Sequence, residues 1–220
     1  MYICKCVYDT HTLFEEEGIT TITMIIKLTE GPLETKFGIF TEQLYYDGQK
    51  ESVALIMGNV SGQENVLCRI HSSCLSAHVF NSVECDCREQ FEMAQRLIQQ
   101  EGRGIIVWLD QEGRSNGHLA LLASAHMRSR GISQSESYVQ LGYVVDGRSY
   151  KTAAAILKNL NVRSITLLTN NPDKIENLQK SEITIPKTQR LTLKPDKNKD
   201  RILYKTYQEK VSRGHAIDLS

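Results

Sequence analysis

The sequence has no excess of charge of one sign, no long apolar run and no recognisable leader. Its 26 Lys and Arg residues balance 26 Asp and Glu residues, which argues against a broad surface for nucleic acid or for a membrane. No apolar stretch approaches the roughly 20 residues needed to cross a bilayer, and the N-terminus lacks the basic start, apolar run and cleavage site of a signal peptide. We therefore expect a cytoplasmic protein that binds neither nucleic acid nor membrane, with its cysteines reduced.

What the sequence does contain is a group of cysteines near its middle. Cys74, Cys85 and Cys87 lie in the pattern H-S-S-C, ten residues, then C-D-C. Three thiolates are typical of an open zinc site that keeps one position for water, as catalytic zinc does. Two other interpretations stay open: His71 or His78 could complete a closed structural site, or the cysteines could be isolated buried residues.

Strands and helices alternate through residues 51–185 in the hydrophobic pattern. Short apolar runs predict strands, and the first two are expected to pair as a hairpin; these runs lie at 53–58, 65–70, 104–109 and 164–169. Amphipathic or capped segments predict helices at 88–100, 117–127, 149–160 and from 171 onwards. The fold class is therefore α/β (α+β), with a mixed, partly parallel β-sheet flanked by helices.

Three polar motifs fall at the ends of these predicted elements. They are E-G-R at 112–114, D-G-R at 146–148 and T-N-N-P-D-K at 169–174. Ligands of α/β sheets bind beyond the carboxyl ends of the strands. We therefore expect Arg114, Arg148 and Lys174 to converge on an anion, which Arg binds bidentately and Lys as a point charge.

Together with the cysteines, these motifs resemble the GTP cyclohydrolase II family of riboflavin biosynthesis. The segments that carry the resemblance are R-I-H-S-S-C-L…C-D-C, Q-E-G-R, Q-L-G-Y-V-V-D-G-R and L-L-T-N-N-P-D-K, within about residues 35–185. The resemblance implies a catalytic domain over 1–185, poorly matched in 1–34, and a polar C-terminal extension over 186–220 with a helix near 201–212. It implies a hydrolase that opens the imidazole ring of GTP, or of a related guanine nucleotide, and releases formate and pyrophosphate. It also implies one Zn²⁺ per subunit, Mg²⁺ bound with the triphosphate, and a homodimer.

The same resemblance assigns roles by position. Zinc would be bound by Cys74, Cys85 and Cys87, and Asp146 would be the general base. Arg148 would act at the α-phosphate; because a guanidinium stays protonated, it suits stabilisation of phosphate charge better than nucleophilic attack. The residues that would contact the nucleotide are Arg69, Ile70, His71, Ser72, Ser73, Gln90, Glu112, Gly113, Arg114, Thr169 and Lys174.

Three positions depart from the family pattern. Ser73 stands where the family has Glu, Ala125 where it has a catalytic Tyr, and Gln134 where it has Thr. A phenol can assist hydrolysis of the formamide that ring opening leaves, and alanine cannot; His118 or His126 could substitute for it. Three outcomes are therefore open: the full reaction, a reaction that stops at the formamidopyrimidine nucleotide, and a noncatalytic protein that binds guanine nucleotides.

Overall fold

A seven-stranded mixed sheet forms the centre of the computed structural model, which describes residues 14–16, 19–21, 25–191 and 201–217. A separate two-stranded sheet joins β1 (Phe14–Glu16) to β2 (Ile19–Thr21). The strands of the large sheet are β3 (Ile26–Thr35), β4 (Gly38–Tyr46), β5 (Glu51–Met57), β6 (Val66–Ser72), β7 (Gly104–Leu109), β8 (Ile165–Leu168) and β9 (Lys187–Gln189). Their order in the sheet is β3-β4-β5-β7-β6-β8-β9.

The sheet is antiparallel on one side and parallel on the other. β3, β4, β5 and β7 pair antiparallel in turn, whereas β7, β6, β8 and β9 are parallel. The predicted α/β class with a mixed, partly parallel sheet is therefore confirmed. The predicted hairpin between the first two apolar runs is wrong, because β7 lies between β5 and β6 and pairs with both.

Helices flank the sheet. They are α1 (Leu75–His78), α2 (Cys87–Glu101), α3 (Gly117–Ala123), α4 (Ala125–Ser129), α5 (Gln134–Gln140), α6 (Lys151–Asn159), α7 (Pro172–Lys180) and α8 (Arg201–Ser212). The segment predicted as one helix over 117–127 is divided at Ser124 into α3 and α4. The helix expected near 201–212 is present as α8. Within the described ranges, no helix is long and apolar enough to span a bilayer.

Local sequence explains where the helices next to the site begin and end. α2 ends at Gly102, whose φ of +72° is left-handed and suits glycine. At the start of α7 the Asn171 side chain accepts a hydrogen bond from the Asp173 amide at 2.9 Å, and Pro172 occupies the first turn. Both helices are thereby held against strands whose carboxyl ends form one edge of the sheet.

The hydrophobic core lies on both faces of the sheet. On one face the strands pack against α6 and α7, through residues such as Ile70 and Ala154. On the other face they pack against α2, through residues such as Ile106 and Ile98. Because the central parallel strands are covered on both sides, they are apolar along most of their length. Polar groups needed for chemistry are consequently displaced to the ends of the strands.

Candidate metal and anion site

The loops that follow β6, β7 and β8 lie at the same edge of the sheet, because these strands are parallel neighbours. Direct bonds join two of these loops. The amide of Ser73 donates to the carbonyl of Leu109 at 2.8 Å, and the Ser73 hydroxyl accepts from the Gln111 amide at 3.0 Å. The sheet topology thus places the cysteine and E-G-R segments side by side, with the T-N-N-P segment one strand further along.

The three thiols of Cys74, Cys85 and Cys87 form one cluster. Their sulfurs all lie within 4.8 Å of one another, and the Cys74 and Cys85 Sγ atoms are 3.7 Å apart. Thiolates bound at about 2.3 Å on a tetrahedral zinc are separated by about 3.8 Å. The donor type and the spacing therefore fit a zinc ion, and the interpretation as isolated buried cysteines is wrong.

Neither histidine of the closed-site alternative belongs to this cluster. The Nδ1 atom of His78 lies 2.7 Å from the carbonyl oxygen of Cys74, and its Nε2 atom lies 3.1 Å from Nε2 of His71. Among the residues that the structure describes, the group of potential ligands contains only the three cysteines. Cys68 is a separate buried residue, and burial raises the pKa of its thiol to about 12. The first two cysteines of the sequence lie outside the described residues.

The segment from Arg69 to Ser73 runs out of the core toward this edge. The Ile70 side chain is fully buried, and His71 packs between Trp108 and neighbouring rings, so their side chains are core residues. Burial, followed by the charge of Arg69, lowers the pKa of His71 well below its usual value and keeps the ring neutral. Any contact of Ile70 or His71 with a ligand would therefore pass through the backbone.

Arg69 and Gln90 form a hydrogen-bonded chain under the cysteine loop. The Arg69 guanidinium donates to the Leu168 carbonyl at 2.8 Å and to the Gln90 side-chain oxygen at 2.5 Å. The Gln90 amide in turn donates to the carboxylate of Asp86, the residue between Cys85 and Cys87 in the sequence. This chain links the end of β8 to the metal loop and fixes the orientation of the Gln90 amide.

The E-G-R segment is linked directly to the residue after Cys74. One Glu112 carboxylate oxygen accepts from the Leu75 amide at 2.6 Å. Gly113 has a φ of +57°, and a Cβ atom there would overlap the carbonyl oxygen of Gly117. Only glycine fits this tight loop without strain. The Glu112 carboxylate is thereby held beside the thiol cluster.

The D-G-R segment carries the strongest ion pair of the site. Asp146 accepts two hydrogen bonds from the Arg148 guanidinium, at 2.8 and 2.5 Å, and one from Arg213 at 2.8 Å. Burial raises the pKa of Asp146, but the bonds from the two guanidinium groups outweigh burial and hold this pKa well below its usual range. Likewise, the bond to Asp146 outweighs burial and raises the pKa of Arg148. Both groups are consequently fully ionised at neutral pH.

Arg114 and Lys174 lie beside this pair; Lys174 is buried and Arg114 is half-buried. Arg114 donates to Glu209 at 2.9 Å and to the Ser135 hydroxyl at 2.8 Å, while its carbonyl accepts from the Gly147 amide. The Lys174 ammonium donates to the Ile70 carbonyl at 2.7 Å. Burial, then the charges of Arg69 and Arg148, lower its pKa well below the usual value.

Thr169 directly follows β8, next to these cations. Its side chain is buried, and its hydroxyl accepts from the Asn171 amide at 3.1 Å, which shapes the turn into α7. The structure thus brings the three predicted cations, Arg114, Arg148 and Lys174, to one edge of the sheet. Arg114, however, is already paired with a carboxylate there.

The three positions that depart from the family pattern have structural roles of their own. The Ser73 hydroxyl bridges two loops, because it also donates to Asp110 at 3.2 Å. The Gln134 side chain donates to the Tyr138 hydroxyl at 2.7 Å. The Tyr138 hydroxyl is packed closely against Gly113, because a Cβ atom added to this glycine would be only 3.1 Å from it. Ala125 begins α4 and is half-buried, and His126 is exposed.

The contribution of α8 to this site was missed by the sequence interpretation. Tyr207 and Lys210 both donate to Asp86, at 2.6 and 2.8 Å, Glu209 pairs with Arg114, and Arg213 pairs with Asp146. The only sequence signal was a polar run with one acidic and several basic side chains, Y-Q-E-K-V-S-R-G-H, which is typical of any exposed helix.

Known proteins of one family are similar in sequence to this chain. The family model described as GTP cyclohydrolase II matches residues 27–191. The chain is 41% identical over 201 residues to the riboflavin biosynthesis protein RibBA of Bacillus cytotoxicus, covering 90% of this chain and 49% of that relative. It is 42% identical over 154 residues to GTP cyclohydrolase-2 of Neisseria meningitidis, covering 70% and 78%. It is 36% identical over 195 residues to GTP cyclohydrolase-2 of Actinobacillus succinogenes, covering 88% of each. The chain thus spans about half the length of the Bacillus relative and most of the length of the other two. By the match of the family model and by these identities, the chain belongs to the GTP cyclohydrolase II family.

Proposed function

We propose that this protein is a zinc-dependent hydrolase that opens the imidazole ring of GTP. The observation that carries the proposal is the joining of the thiol cluster to the E-G-R loop, through the bond from the Leu75 amide to Glu112 at 2.6 Å. A metal site and a polar loop suited to a purine are therefore held together at one sheet edge. Membership of the family supplies the substrate class, GTP or a related guanine nucleotide.

The metal would be held by Cys74, Cys85 and Cys87. Zinc bound there supplies an activated water for hydrolysis at neutral pH. In the first step water adds at C8 of guanine and the C8–N9 bond breaks, which leaves a formamide on N7. In the second step another water cleaves that formamide and releases formate.

The guanine would be recognised by Glu112 and Gln90. A carboxylate accepts from the amide and amino edge of guanine, and the Gln90 amide can pair with a ring carbonyl. The Gln90 orientation is fixed on one side by Arg69 and on the other by Asp86. A polar site of this kind discriminates against a base without the matching groups, because its own groups would be left unpaired.

The triphosphate would be bound by the cations beside Asp146. Water attacks the α-phosphorus and pyrophosphate leaves, and Arg148, which stays protonated, stabilises the phosphate charge that develops. Asp146 is held in the ionised form by guanidinium groups, and this suits the positioning of Arg148 better than proton transfer. Mg²⁺ would be bound chiefly by phosphate oxygens and water. The homodimer expected from the resemblance stays a prediction.

A second candidate is the same ring opening without the second hydrolysis. Ala125 offers no hydroxyl at the position where the family pattern has a Tyr, and the Tyr138 phenol is buried and bound by Gln134. Formamide hydrolysis would then lack a side chain that holds water or donates a proton.

The product of the reaction tests both candidates. The zinc-loaded protein would be incubated with GTP and Mg²⁺, and the products separated by mass spectrometry. We expect GTP to be consumed. Formate with a diaminopyrimidine ribosyl phosphate would identify the full reaction, and a formamidopyrimidine nucleotide would identify the early stop. Unchanged GTP would reject both and leave a noncatalytic nucleotide-binding protein.

A further inference from the structure

The end of the described chain contacts every loop of the candidate site. Thr206 donates to the Glu84 carbonyl at 3.2 Å, and the Ala216 amide donates to the Asn170 carbonyl at 3.1 Å. Between these two points, side chains of α8 and the residue just beyond it reach the metal loop, the E-G-R loop and the D-G-R loop. α8 is therefore packed against the loops of the candidate site.

Arg213 brings a second guanidinium onto Asp146, next to Arg148. Both arginines donate to the same carboxylate oxygen, Oδ2 of Asp146, at 2.8 and 2.5 Å. Within the described part of the chain, Asp146 is the ion-pair partner of both. One carboxylate cannot neutralise two guanidinium groups, so this corner keeps an excess positive charge.

The neighbouring charges do not remove that excess. Glu209 is already engaged by Arg114, and Lys174 adds a further basic group near Arg148. The Asp173 carboxylate acts on Arg148 through its charge, but among the described residues Arg148 forms its ion pair with Asp146. The field of the cluster also reaches His215, whose pKa is lowered to about 4 by burial and then by Lys210, Arg213, Arg148 and Lys174. A polyanion is the ligand that such a partly buried, positive pocket would bind.

We propose that Arg213 is a further phosphate-binding residue, carried to the site by α8 and held beside Arg148 by Asp146. Its guanidinium binds the terminal phosphates of the nucleotide, while Arg148 faces the phosphate nearer the ribose. The inference rests on the proposed function for the identity of the nucleotide, but the anion site itself can be tested without turnover.

The test uses inorganic triphosphate, which carries the anion and has no ring to open. Its binding to the full-length, zinc-loaded protein would be measured by isothermal titration calorimetry in Mg²⁺. We expect Arg213→Ala to weaken binding about tenfold, the equivalent of about 1.4 kcal/mol, and Arg213→Lys to restore part of the loss by keeping the charge. Lys205→Ala is the matched control, because Lys205 is an exposed cation of α8, the helix that directly precedes Arg213, and it should change binding less than about twofold.

The outcomes separate this inference from the proposed function. Arg213-dependent binding of triphosphate together with inert GTP would reject the proposed chemistry and keep the anion site. GTP turnover with equal triphosphate binding in wild type, Arg213→Ala and Lys205→Ala would reject the role of Arg213. Failure of the wild-type protein to bind triphosphate would also reject it. A merely structural role of Arg213 predicts that Arg213→Lys loses triphosphate binding as fully as Arg213→Ala does, and that result would overturn the proposal.

Discussion

Replacement of Lys174 by Met separates anion binding from stability of the fold. Lys174 is only 5% exposed, and within the described part of the chain its ammonium donates one hydrogen bond, to the Ile70 carbonyl at 2.7 Å. It lies near two other cations, Arg69 and Arg148, whose charges act with burial to lower its pKa. A buried ammonium among like charges is an arrangement that favours a ligand at the expense of the unliganded fold.

The expected magnitudes follow from these contacts. Loss of a hydrogen bond from a charged donor costs about 1.5–3 kcal/mol, and removal of the buried charge and its repulsion by Arg69 and Arg148 returns a similar amount. Lys174→Met should therefore leave the free energy of unfolding at neutral pH within about 2 kcal/mol of wild type. Inorganic triphosphate should bind at least about tenfold more weakly, because a desolvated charge contact is lost.

The dependence of stability on pH gives a second readout. The Lys174 pKa is lower in the folded chain than the 10.5 of an unperturbed lysine, so between these two values the unfolded chain binds more protons. Stability contributed by this group therefore rises with pH through that window and levels off above 10.5. Lys174→Met should lack this rise.

Denaturant unfolding of wild type, Lys174→Met and Lys180→Met across that pH range would test the reasoning. Lys180 is the matched control, because it belongs to the same helix and its side chain is 71% exposed. A loss of more than about 3 kcal/mol in Lys174→Met, or the same slope with pH in wild type and variant, would refute it.

Two further variants can each be compared with a control variant of the same residue type for which we expect a smaller effect. Cys85→Ser should abolish stoichiometric zinc measured by inductively coupled plasma mass spectrometry, whereas Cys68→Ser should retain it, because Cys68 is buried away from the cluster; equal zinc in both variants would contradict the site. Gly113→Ala should lower the free energy of unfolding by more than about 2 kcal/mol, since a left-handed φ costs about 1–2 kcal/mol and the new Cβ would meet the Gly117 carbonyl. Gly62→Ala should cost only the backbone term, because Gly62 has a similar φ of +69° with open space around it; equal losses in the two variants would show that the contact is unimportant.

Elements with a strong local signal were predicted well from the sequence. The run at 104–109 is β7 with the predicted bounds, and α2 differs from its predicted range by one residue at each end. Both have a clear hydrophobic pattern, because β7 is apolar along its length and α2 is amphipathic. Tertiary packing did not change the structure that these local patterns predict. The pairing of strands was not local, however: β7 inserts between β5 and β6, and no feature of either neighbouring run specifies this.

The candidate site shows the same division. Spacing and residue type were enough to predict the clustering of Cys74, Cys85 and Cys87, because thiols with these polar flanks have few other uses. The pairing of Arg114 with Glu209, and of Arg213 with Asp146, joins residues 95 and 67 positions apart. Such contacts depend on how α8 packs against the edge of the sheet. The sequence pattern of a charged helix is the same whether the helix packs against a site or faces solvent.

The fate of carbon C8 of guanine tests the central claim most directly. GTP labelled with carbon-13 at C8 would be followed by NMR with the zinc-loaded protein and with Cys85→Ser. We predict that the wild-type protein converts the aromatic C8 signal into that of a formamide, and then of formate if the second hydrolysis occurs, while Cys85→Ser leaves it unchanged. An aromatic C8 signal that persists with zinc-loaded wild-type protein, or one lost equally fast with Cys85→Ser, would contradict the account.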